Sequence, residues 1–327
     1  MTSSSEITIG SRKSKLALIQ AKHVQQLLEA SFPDNSFPIT SMTTIGDQIL
    51  SKPLFSIGEK SLFTKELEVA LQNKSVDLVV HSLKDLPTTL PEGMAIAAIL
   101  KRENPRDALV IKEGMSYKSV DELPKGSVIG TSSVRRIAQL KATFPDLVFQ
   151  DVRGNLNTRL AKLDDPNGPY SALVLAVAGL ERLEMNHRIS QIFPSSVMLY
   201  AVGQGALAVE CRVDDKRIIE LVSVLEDKDT RLRCSAERSL LRTLEGGCSV
   251  PIGVNTEFIE TQNGTRELKL FGLVARLDGS EIIKAEAQKN IDEDGIEAAN
   301  ELGREVAGIL IEKGAKSILE ELKILRQ

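Results

Sequence analysis

Arginine and hydroxyl side chains recur in this 327-residue chain where a β-rich apolar run gives way to a helical pattern. Guanidinium groups bind carboxylate or phosphate in bidentate fashion, and the free N–H groups of a helix N-terminus favour an anion. The pattern therefore predicts a site for a ligand with many negative charges. Six arginines and one hydroxyl cluster carry it: Arg12, Thr131, Ser132, Ser133, Arg135, Arg136, Arg153, Arg159 and Arg182.

A second interpretation stays open for each of these residues taken alone. Most charged side chains are exposed, so a single arginine is also explained by a solvated position or a helix ion pair. The Thr131–Ser133 segment is also explained as a helix N-cap, which is the commonest use of such residues. Only the repetition of arginine at equivalent turns favours a shared anion site.

The segment His81-Ser82-Leu83-Lys84-Asp85-Leu86-Pro87 follows a buried apolar run. Because Pro87 stops regular structure, Lys84 and Asp85 are expected in a fixed turn. Asp85 suits a general acid or base, or a carboxylate that stabilises a cationic intermediate. An aspartate that only caps a turn is the alternative.

Cys248 lies in Glu245-Gly246-Gly247-Cys248-Ser249, where two glycines precede the thiol. This position suits a reactive cysteine, although a chance loop thiol has the same local sequence. Cys211 and Cys234 have the pattern of small packing residues. The segment between Gly46 and Gly58 has the length of an active-site lid or of a disordered surface loop.

Continuous apolar strands alternate with helices through the first two thirds of the chain, which predicts an α/β fold with buried, mostly parallel sheets. Ligands bind such sheets at the carboxyl ends of the strands, where the turns described above lie. The last hundred residues differ. A helix from Thr230 to Leu244 precedes three strands with turn signals at Asn263-Gly264 and Asp278-Gly279. This order predicts a small separate α/β module with an antiparallel sheet.

Composition excludes several classes of protein. With 42% hydrophobic and 26% charged residues the chain is expected to be globular. No apolar run reaches the ~18 residues that a membrane span needs, and a net charge of −4 disfavours a nucleic-acid partner. Three widely spaced cysteines and a start without secretory or transit character predict a cytoplasmic protein. The His and Cys spacings predict no metal site, and no Walker pattern supports phosphoryl transfer.

Assembled in order, eight segments closely resemble the hydroxymethylbilane synthase family, also called porphobilinogen deaminases. They are residues 11–17, 58–68, 81–87, 130–136, 153–159, 178–182, 200–207 and 246–251. The resemblance implies two lobes like those of periplasmic binding proteins around a cleft and a third domain with a three-stranded sheet. Its implied boundaries are 1–102 with 202–226 for lobe 1, 103–201 for lobe 2 and 227–327 for the cofactor-carrying domain.

The family resemblance also implies the reaction. A monomeric transferase would join four porphobilinogen molecules head to tail, release four ammonia and make hydroxymethylbilane in heme biosynthesis. Its implied cofactor is dipyrromethane, held by a thioether to Cys248. Porphobilinogen carries two carboxylates, which agrees with an arginine-rich site, and its cationic intermediate calls for one buried carboxylate, for which Asp85 is the candidate.

The remaining site residues are carried over from the resemblance. The residues implied to bind substrate or cofactor are Arg12, Ser14, Ser82, Lys84, Thr131, Ser132, Ser133, Arg135, Arg136, Arg153, Arg159 and Arg182. Weaker carry-overs are Gln20, Lys60, Phe63 and Gln204. The competing hypothesis is a non-enzymatic, two-lobed anion-binding protein, which leaves the Gly246-Gly247-Cys248 turn without a role.

Overall fold

The computed structural model of the chain describes residues 6–48, 63–244, 250–261, 264–291 and 295–324. Lys60 and Cys248 lie outside these ranges, as does most of the segment between Gly46 and Phe63. The described residues fall into two compact units. Unit 1 contains residues 6–48, 63–103 and 205–231, and unit 2 contains residues 104–204 and the described residues from 232 onward.

The strands and helices alternate over most of the chain. In order, the strands are β1 (Ile9–Arg12), β2 (Ile39–Met42), β3 (Leu78–Ser82), β4 (Met94–Ile99), β5 (Asp107–Ile111), β6 (Val128–Gly130), β7 (Val148–Gln150), β8 (Ala172–Ala176), β9 (Gln191–Ile192), β10 (Leu207–Arg212), β11 (Ile252–Glu260), β12 (Arg266–Ala275) and β13 (Ile282–Asn290). The α-helices are α1 (Lys15–Ser31), α2 (Ile45–Gln48), α3 (Lys65–Gln72), α4 (Val134–Thr143), α5 (Leu156–Asp164), α6 (Val177–Arg182), α7 (Lys216–Val222), α8 (Lys228–Thr243), α9 (Ile296–Leu310) and α10 (Lys316–Ile324).

The sheet of unit 1 has the order β2-β1-β3-β10-β4. The strands β2, β1 and β3 pair in parallel, whereas β10 pairs antiparallel with both β3 and β4. Four strands therefore point one way and β10 points the other way. Helix α1 packs Ala21, Val24 and Leu28, spaced three and four residues apart, against Leu78 and Val80 of β3.

The first sheet of unit 2 repeats this plan with the order β7-β6-β8-β5-β9. The strands β7, β6 and β8 pair in parallel, and β5 runs antiparallel to β8 and β9. Because Asp107 at the start of β5 pairs with Ala176 at the end of β8, it lies at the carboxyl edge of the parallel strands. This register brings Asp107 to the edge where ligands bind such sheets.

The second sheet of unit 2 is antiparallel, in the order β11-β12-β13. Helices α8 and α9 cover it with a shared core that includes Leu240, Leu302 and Val306. Their close approach depends on Gly303, because a Cβ added there would lie 2.3 Å from the Ala236 carbonyl oxygen. Any larger residue at 303 would force α8 and α9 apart.

Within unit 2 the antiparallel sheet packs directly on α4. The β12–β13 turn places Gly279, at φ +75°, where a Cβ would come within 2.6 Å of the Ala138 carbonyl oxygen. Beside it, Gln139 accepts a hydrogen bond from Leu199 N at 2.8 Å and donates one to Leu199 O at 3.0 Å. The antiparallel sheet therefore contacts α4 closely at Gly279, while two hydrogen bonds with Gln139 hold the backbone of Leu199 to the same helix.

The predicted α/β architecture and the three-stranded antiparallel sheet are confirmed. What the apolar pattern did not predict is the reversed direction of β10 and β5, since a buried apolar run looks the same in either orientation. The three-domain boundaries of the sequence stay a prediction.

Candidate active site

Hydrogen bonds and a buried side chain fix the Lys84–Asp85 turn at the end of β3. Leu83–Asp85 forms a single 3-10 turn, and the Leu83 side chain is fully buried. Leu83 N donates to Ala206 O at 3.0 Å, and Leu86 N closes the turn on Leu83 O at 3.2 Å. Lys84 is half-buried. The turn is therefore fixed by the core beneath it.

Asp85 is exposed at this turn, which corrects the expectation of a buried carboxylate. The reason is local. In the one-turn helix Leu83 takes the inward position, so the side chain two residues later faces away from the core. The carboxylate is thus accessible to a ligand.

The other candidate residues of unit 1 lie along the same sheet edge, because β1 and β3 are parallel neighbours. Gln20, buried on α1, donates from Nε2 to the Ser82 hydroxyl at 2.9 Å. Ser14 caps α1 by accepting from Ala17 N at 3.3 Å. Arg12 is half-buried and its guanidinium carbon lies 4.5 Å from the Phe63 ring centroid, within cation–π range. The structure therefore brings the ends of β1 and β3 together.

In unit 2 the hydroxyl cluster connects β6 to α4. Thr131 Oγ1 accepts from Ser133 N at 3.2 Å, and Ser132 donates its hydroxyl to Val152 O at 2.8 Å. Ser133 occupies the N-cap position, yet its side chain makes no capping hydrogen bond. Ser133 thus takes the N-cap position that the alternative interpretation allows, but without a side-chain capping bond, and the first turn of α4 keeps backbone donors that an anion can use.

Arg135 and Arg136 are engaged with a buried carboxylate that the sequence interpretation missed. Arg135 Nη1 lies 2.7 Å from Asp107 Oδ2, and Arg136 Nη2 lies 2.7 Å from Oδ1. Arg135 also donates to Leu199 O at 2.8 Å and Arg136 to Val174 O at 2.7 Å. The two guanidinium groups are buried, at 6% and 8% side-chain exposure.

Asp107 is the centre of this cluster. Burial by itself would raise the pKa of Asp107, but the two guanidinium groups outweigh it and hold the pKa well below its ordinary value. Gln204 adds a donor, with Nε2 at 3.0 Å from Asp107 Oδ1. Two cations against one anion leave a net positive charge. An acidic residue directly before the apolar run 108–111 was the signal available in the sequence.

The other three candidate arginines of unit 2, Arg153, Arg159 and Arg182, are half-buried and lie after two further strand ends. Arg153 follows β7, and Arg159 donates from Nε to Gly154 O at 2.8 Å. Arg182 is the last residue of α6, which directly follows β8. Since β7, β6 and β8 are parallel neighbours, all of these segments leave the sheet at one edge.

Two cysteines are described, and both are buried. Burial, with Asp215 adding to it, raises the pKa of the Cys211 thiol to about 11, which makes it a poor nucleophile near neutral pH. Among the described residues, no group of three His, Cys, Asp or Glu side chains is arranged to hold a metal. Within the same ranges, none of the helices has the length and apolar character of a membrane span.

Fold and site together define a class of protein. Each unit carries an α/β sheet with basic and hydroxyl side chains at the carboxyl ends of its parallel strands, and a small antiparallel module follows. This is the arrangement of multidomain α/β proteins whose ligand sites lie at the carboxyl ends of the strands.

The particular family follows from comparison with known proteins. Residues 7–220 match the family described as porphobilinogen deaminase, dipyromethane cofactor binding domain. Residues 231–312 match the porphobilinogen deaminase C-terminal domain. The chain belongs to the porphobilinogen deaminase family.

Individual relatives match over nearly their whole length. The chain is 54% identical over 316 residues to a porphobilinogen deaminase of Nostoc sp., covering 97% of this chain and 94% of the relative. It is 47% identical over 325 residues to that of Saccharomyces cerevisiae, covering 97% of both chains. Among solved structures it is similar to the periplasmic aliphatic sulphonate binding protein SsuA from Escherichia coli. That likeness has 13% identity and a TM-score of 0.37 over 73% of this chain and 70% of the other. At this TM-score the likeness says nothing about activity.

Proposed function

We propose that this chain is a transferase that condenses four porphobilinogen molecules head to tail, with release of four ammonia and uptake of one water that supplies the terminal hydroxyl, to give the linear tetrapyrrole hydroxymethylbilane. The observation that carries the proposal is the rigid Lys84–Asp85 turn, set at the carboxyl edge of the unit 1 sheet in a porphobilinogen deaminase chain. A receptor that only bound anions would need no accessible carboxylate among its cations.

Asp85 is the proposed catalytic residue. Loss of ammonia from porphobilinogen leaves positive charge on the pyrrole, and a carboxylate fixed in place before the reaction stabilises such charge without reorganisation. The buried Leu83 and its hydrogen bond to Ala206 O hold the turn, while the exposed Asp85 carboxylate stays free to approach a ligand. The same carboxylate is suited to accept and return a proton at the pyrrole nitrogen.

The sheet edges are proposed to bind the ligand's carboxylates. Each porphobilinogen brings an acetate and a propionate, so a lengthening chain requires several cations and N–H donors. Arg12, Ser14, Ser82 and Lys84 serve this role in unit 1. In unit 2 it falls to Thr131, Ser132, Ser133, Arg135, Arg136, Arg153, Arg159 and Arg182.

The dipyrromethane cofactor of the family is itself a polycarboxylate, so it requires positive charge and hydrogen-bond donors. The residues of unit 2 fit this requirement. The first turn of α4 offers N–H donors, Ser133 keeps a hydroxyl not used for capping, and the Asp107 cluster retains a net positive charge. When bound, the cofactor supplies the pyrrole end from which the product is extended. We propose Cys248 as its attachment point, because Cys211 and Cys234 are buried.

Partners and compartment are also proposals. A net charge of −4 argues against nucleic-acid binding, and three cysteines without a disulfide framework suit a reducing compartment. We therefore propose a cytoplasmic monomer whose ligands are porphobilinogen and the growing pyrrole chain.

The decisive experiment combines activity with intact mass. Purified protein incubated with porphobilinogen should release ammonia and form hydroxymethylbilane, and its mass should exceed that of the bare chain by a dipyrromethane unit. Peptide mapping should place the adduct on the peptide that contains Cys248. An unmodified protein that binds porphobilinogen without releasing ammonia would instead establish the non-enzymatic receptor.

A further inference from the structure

Three titratable side chains are buried together in unit 1, directly behind the catalytic turn. Glu68 lies on α3, His81 on β3 and Glu210 on β10, with exposures of 5%, 5% and 0%. His81 Nε2 lies 2.9 Å from Glu210 Oε2. Because a carboxylate oxygen accepts, the imidazole N–H is the donor. None of the three has a role in the site described above.

The sheet register explains how His81 and Glu210 meet. β3 and β10 pair antiparallel with His81 opposite Ala208 and Val79 opposite Glu210, so the two side chains are diagonal neighbours on one face. Val79 on this face packs with Leu67 and Leu71 of α3. The pair is therefore enclosed between α3 and the sheet, and it joins residues 129 positions apart in the chain.

The opposite face of β3 has its own anchor. Val80 packs in the core that α1 forms on that face, and Ser82 accepts from Gln20 of the same helix. The strand that leads into the catalytic turn is thus held on one face by Gln20 and on the other by Glu210. Beyond it, Leu83 N is bonded to Ala206 O, one residue before β10 begins. Strand β10 therefore supports both the last residues of β3 and the turn itself.

Burial of the Glu210 side chain lowers the stability of the folded protein, which suggests that this residue has a function. A carboxylate taken out of water is unfavourable, and only one of its oxygens has a hydrogen-bond partner among the described residues. Burial also raises the pKa of Glu68, and Glu210 and Glu66 add to the rise while His81 opposes it. An apolar residue in this strand position would pack without these penalties.

We propose that Glu210 is a positioning residue for Asp85: through its hydrogen bond to His81 it fixes the direction in which β3 delivers the Leu83–Asp85 turn. This inference rests on the proposed catalytic role of Asp85. A displacement of the carboxylate by about 1 Å is enough to lower a catalytic rate by roughly 100-fold. Glu210 acts only through the turn, so substrate affinity is expected to change little.

The test compares Glu210→Leu with Glu210→Gln in protein whose cofactor is attached, as shown by intact mass. Leucine fills the space but removes the acceptor, and glutamine keeps a neutral acceptor for His81. We expect Glu210→Leu to lower kcat roughly 10- to 100-fold with KM within about twofold, and Glu210→Gln to recover most of the rate. If Glu210→Leu does not fold, the double variant His81→Leu/Glu210→Leu, which removes both members of the hydrogen-bonded pair, should fold and show the same loss.

Two controls separate positioning from stability and from the reaction itself. Glu226→Gln alters another carboxylate of unit 1, which accepts from Ile99 N at 2.6 Å, and should leave kcat unchanged. In an Asp85→Ala background, Glu210→Leu should cause no further loss, because both act on the same carboxylate. Folded Glu210→Leu holoenzyme with the wild-type kcat would overturn the proposal. Wild-type protein that makes no product would overturn the proposed function instead.

Discussion

Arg136 holds one oxygen of Asp107 with two donors, Nη2 at 2.7 Å and Nε at 3.0 Å, while Arg135 takes the other oxygen at 2.7 Å. Arg135 and Arg136, which the sequence predicts to bind a ligand, are therefore also members of a buried ion cluster with Asp107. Asp107 positions both guanidinium groups and cancels one of their charges. The cluster links strand β5 to helix α4 at the carboxyl edge of the sheet.

Removing the Asp107 carboxylate should destabilise the protein strongly. Asp107→Ala leaves two buried guanidinium groups without a counter-ion, and breaking such a pair is expected to lower the free energy of unfolding by ~3–5 kcal/mol. Urea unfolding followed by circular dichroism measures it. Asp146→Ala is the matched control, since its ion pair with Lys125 is exposed and is worth ~0–1 kcal/mol. Equal losses in the two variants would contradict the buried-cluster interpretation.

The same cluster predicts how stability depends on acid. Because the folded state holds the pKa of Asp107 below that of the unfolded chain, the unfolded state binds more protons as the pH falls below the ordinary Asp value of about 4. The contribution of Asp107 is therefore complete above that pH and is lost below it. Asp107→Asn should flatten this part of a stability–pH curve. If the free energy of unfolding of Asp107→Asn fell with decreasing pH as steeply as that of the wild type, Asp107 would not be the source of this dependence.

Arg136 and Arg182 should differ in what their loss affects. Arg136→Leu removes an ion-pair partner of Asp107 and should lower both stability and the fraction of protein that carries the cofactor. Arg182→Leu should fold normally and weaken ligand binding by ~1.5–3 kcal/mol, the range for a hydrogen bond to a charged group. Thermal unfolding, intact mass and KM for porphobilinogen separate the two. Arg188→Leu, which breaks ion pairs with Asp164 and Glu113, serves as a control with unchanged KM.

Removal of the Asp85 carboxylate should lower the catalytic rate strongly without unfolding the chain. The side chain is exposed, so Asp85→Ala should leave the unfolding midpoint within the small range typical of surface positions. The loss of a preorganised charge should lower kcat roughly 100- to 1,000-fold, with little change in substrate affinity. Asp85→Glu keeps the charge and should retain part of the rate. The assay requires protein with the cofactor attached, and near-normal kcat in Asp85→Ala would reduce this residue to a turn cap.

The three cysteines should differ in whether they carry the cofactor, according to their accessibility. Cys248→Ser is expected to give folded protein without a covalent dipyrromethane and without activity. Cys211→Ser and Cys234→Ala should keep the adduct, because both thiols are buried and the pKa of Cys211 is raised to about 11. Intact mass of the three variants decides the point. A dipyrromethane adduct on Cys248→Ser would show that another residue carries the cofactor.

The amino-acid sequence by itself determined the alternation of strands and helices, the α/β class, the antiparallel character of the last sheet and the fixed turn before Pro87. These features depend on periodicity and on turn residues, which neighbours in the chain encode. The family, too, was accessible from the order of its motifs, and the comparisons confirm it.

Only the tertiary structure decided which distant side chains meet. Asp107 pairs with Arg135 and Arg136 across 28 and 29 positions, and Glu210 reaches His81 across 129. Both contacts depend on the reversed strands β5 and β10, whose direction no apolar run encodes. The exposure of Asp85 likewise follows from Leu83 taking the inward place in the turn. The pairing register of strands that are distant in the chain therefore determines which side chains surround each candidate residue. The sequence identifies the candidates but not these neighbours.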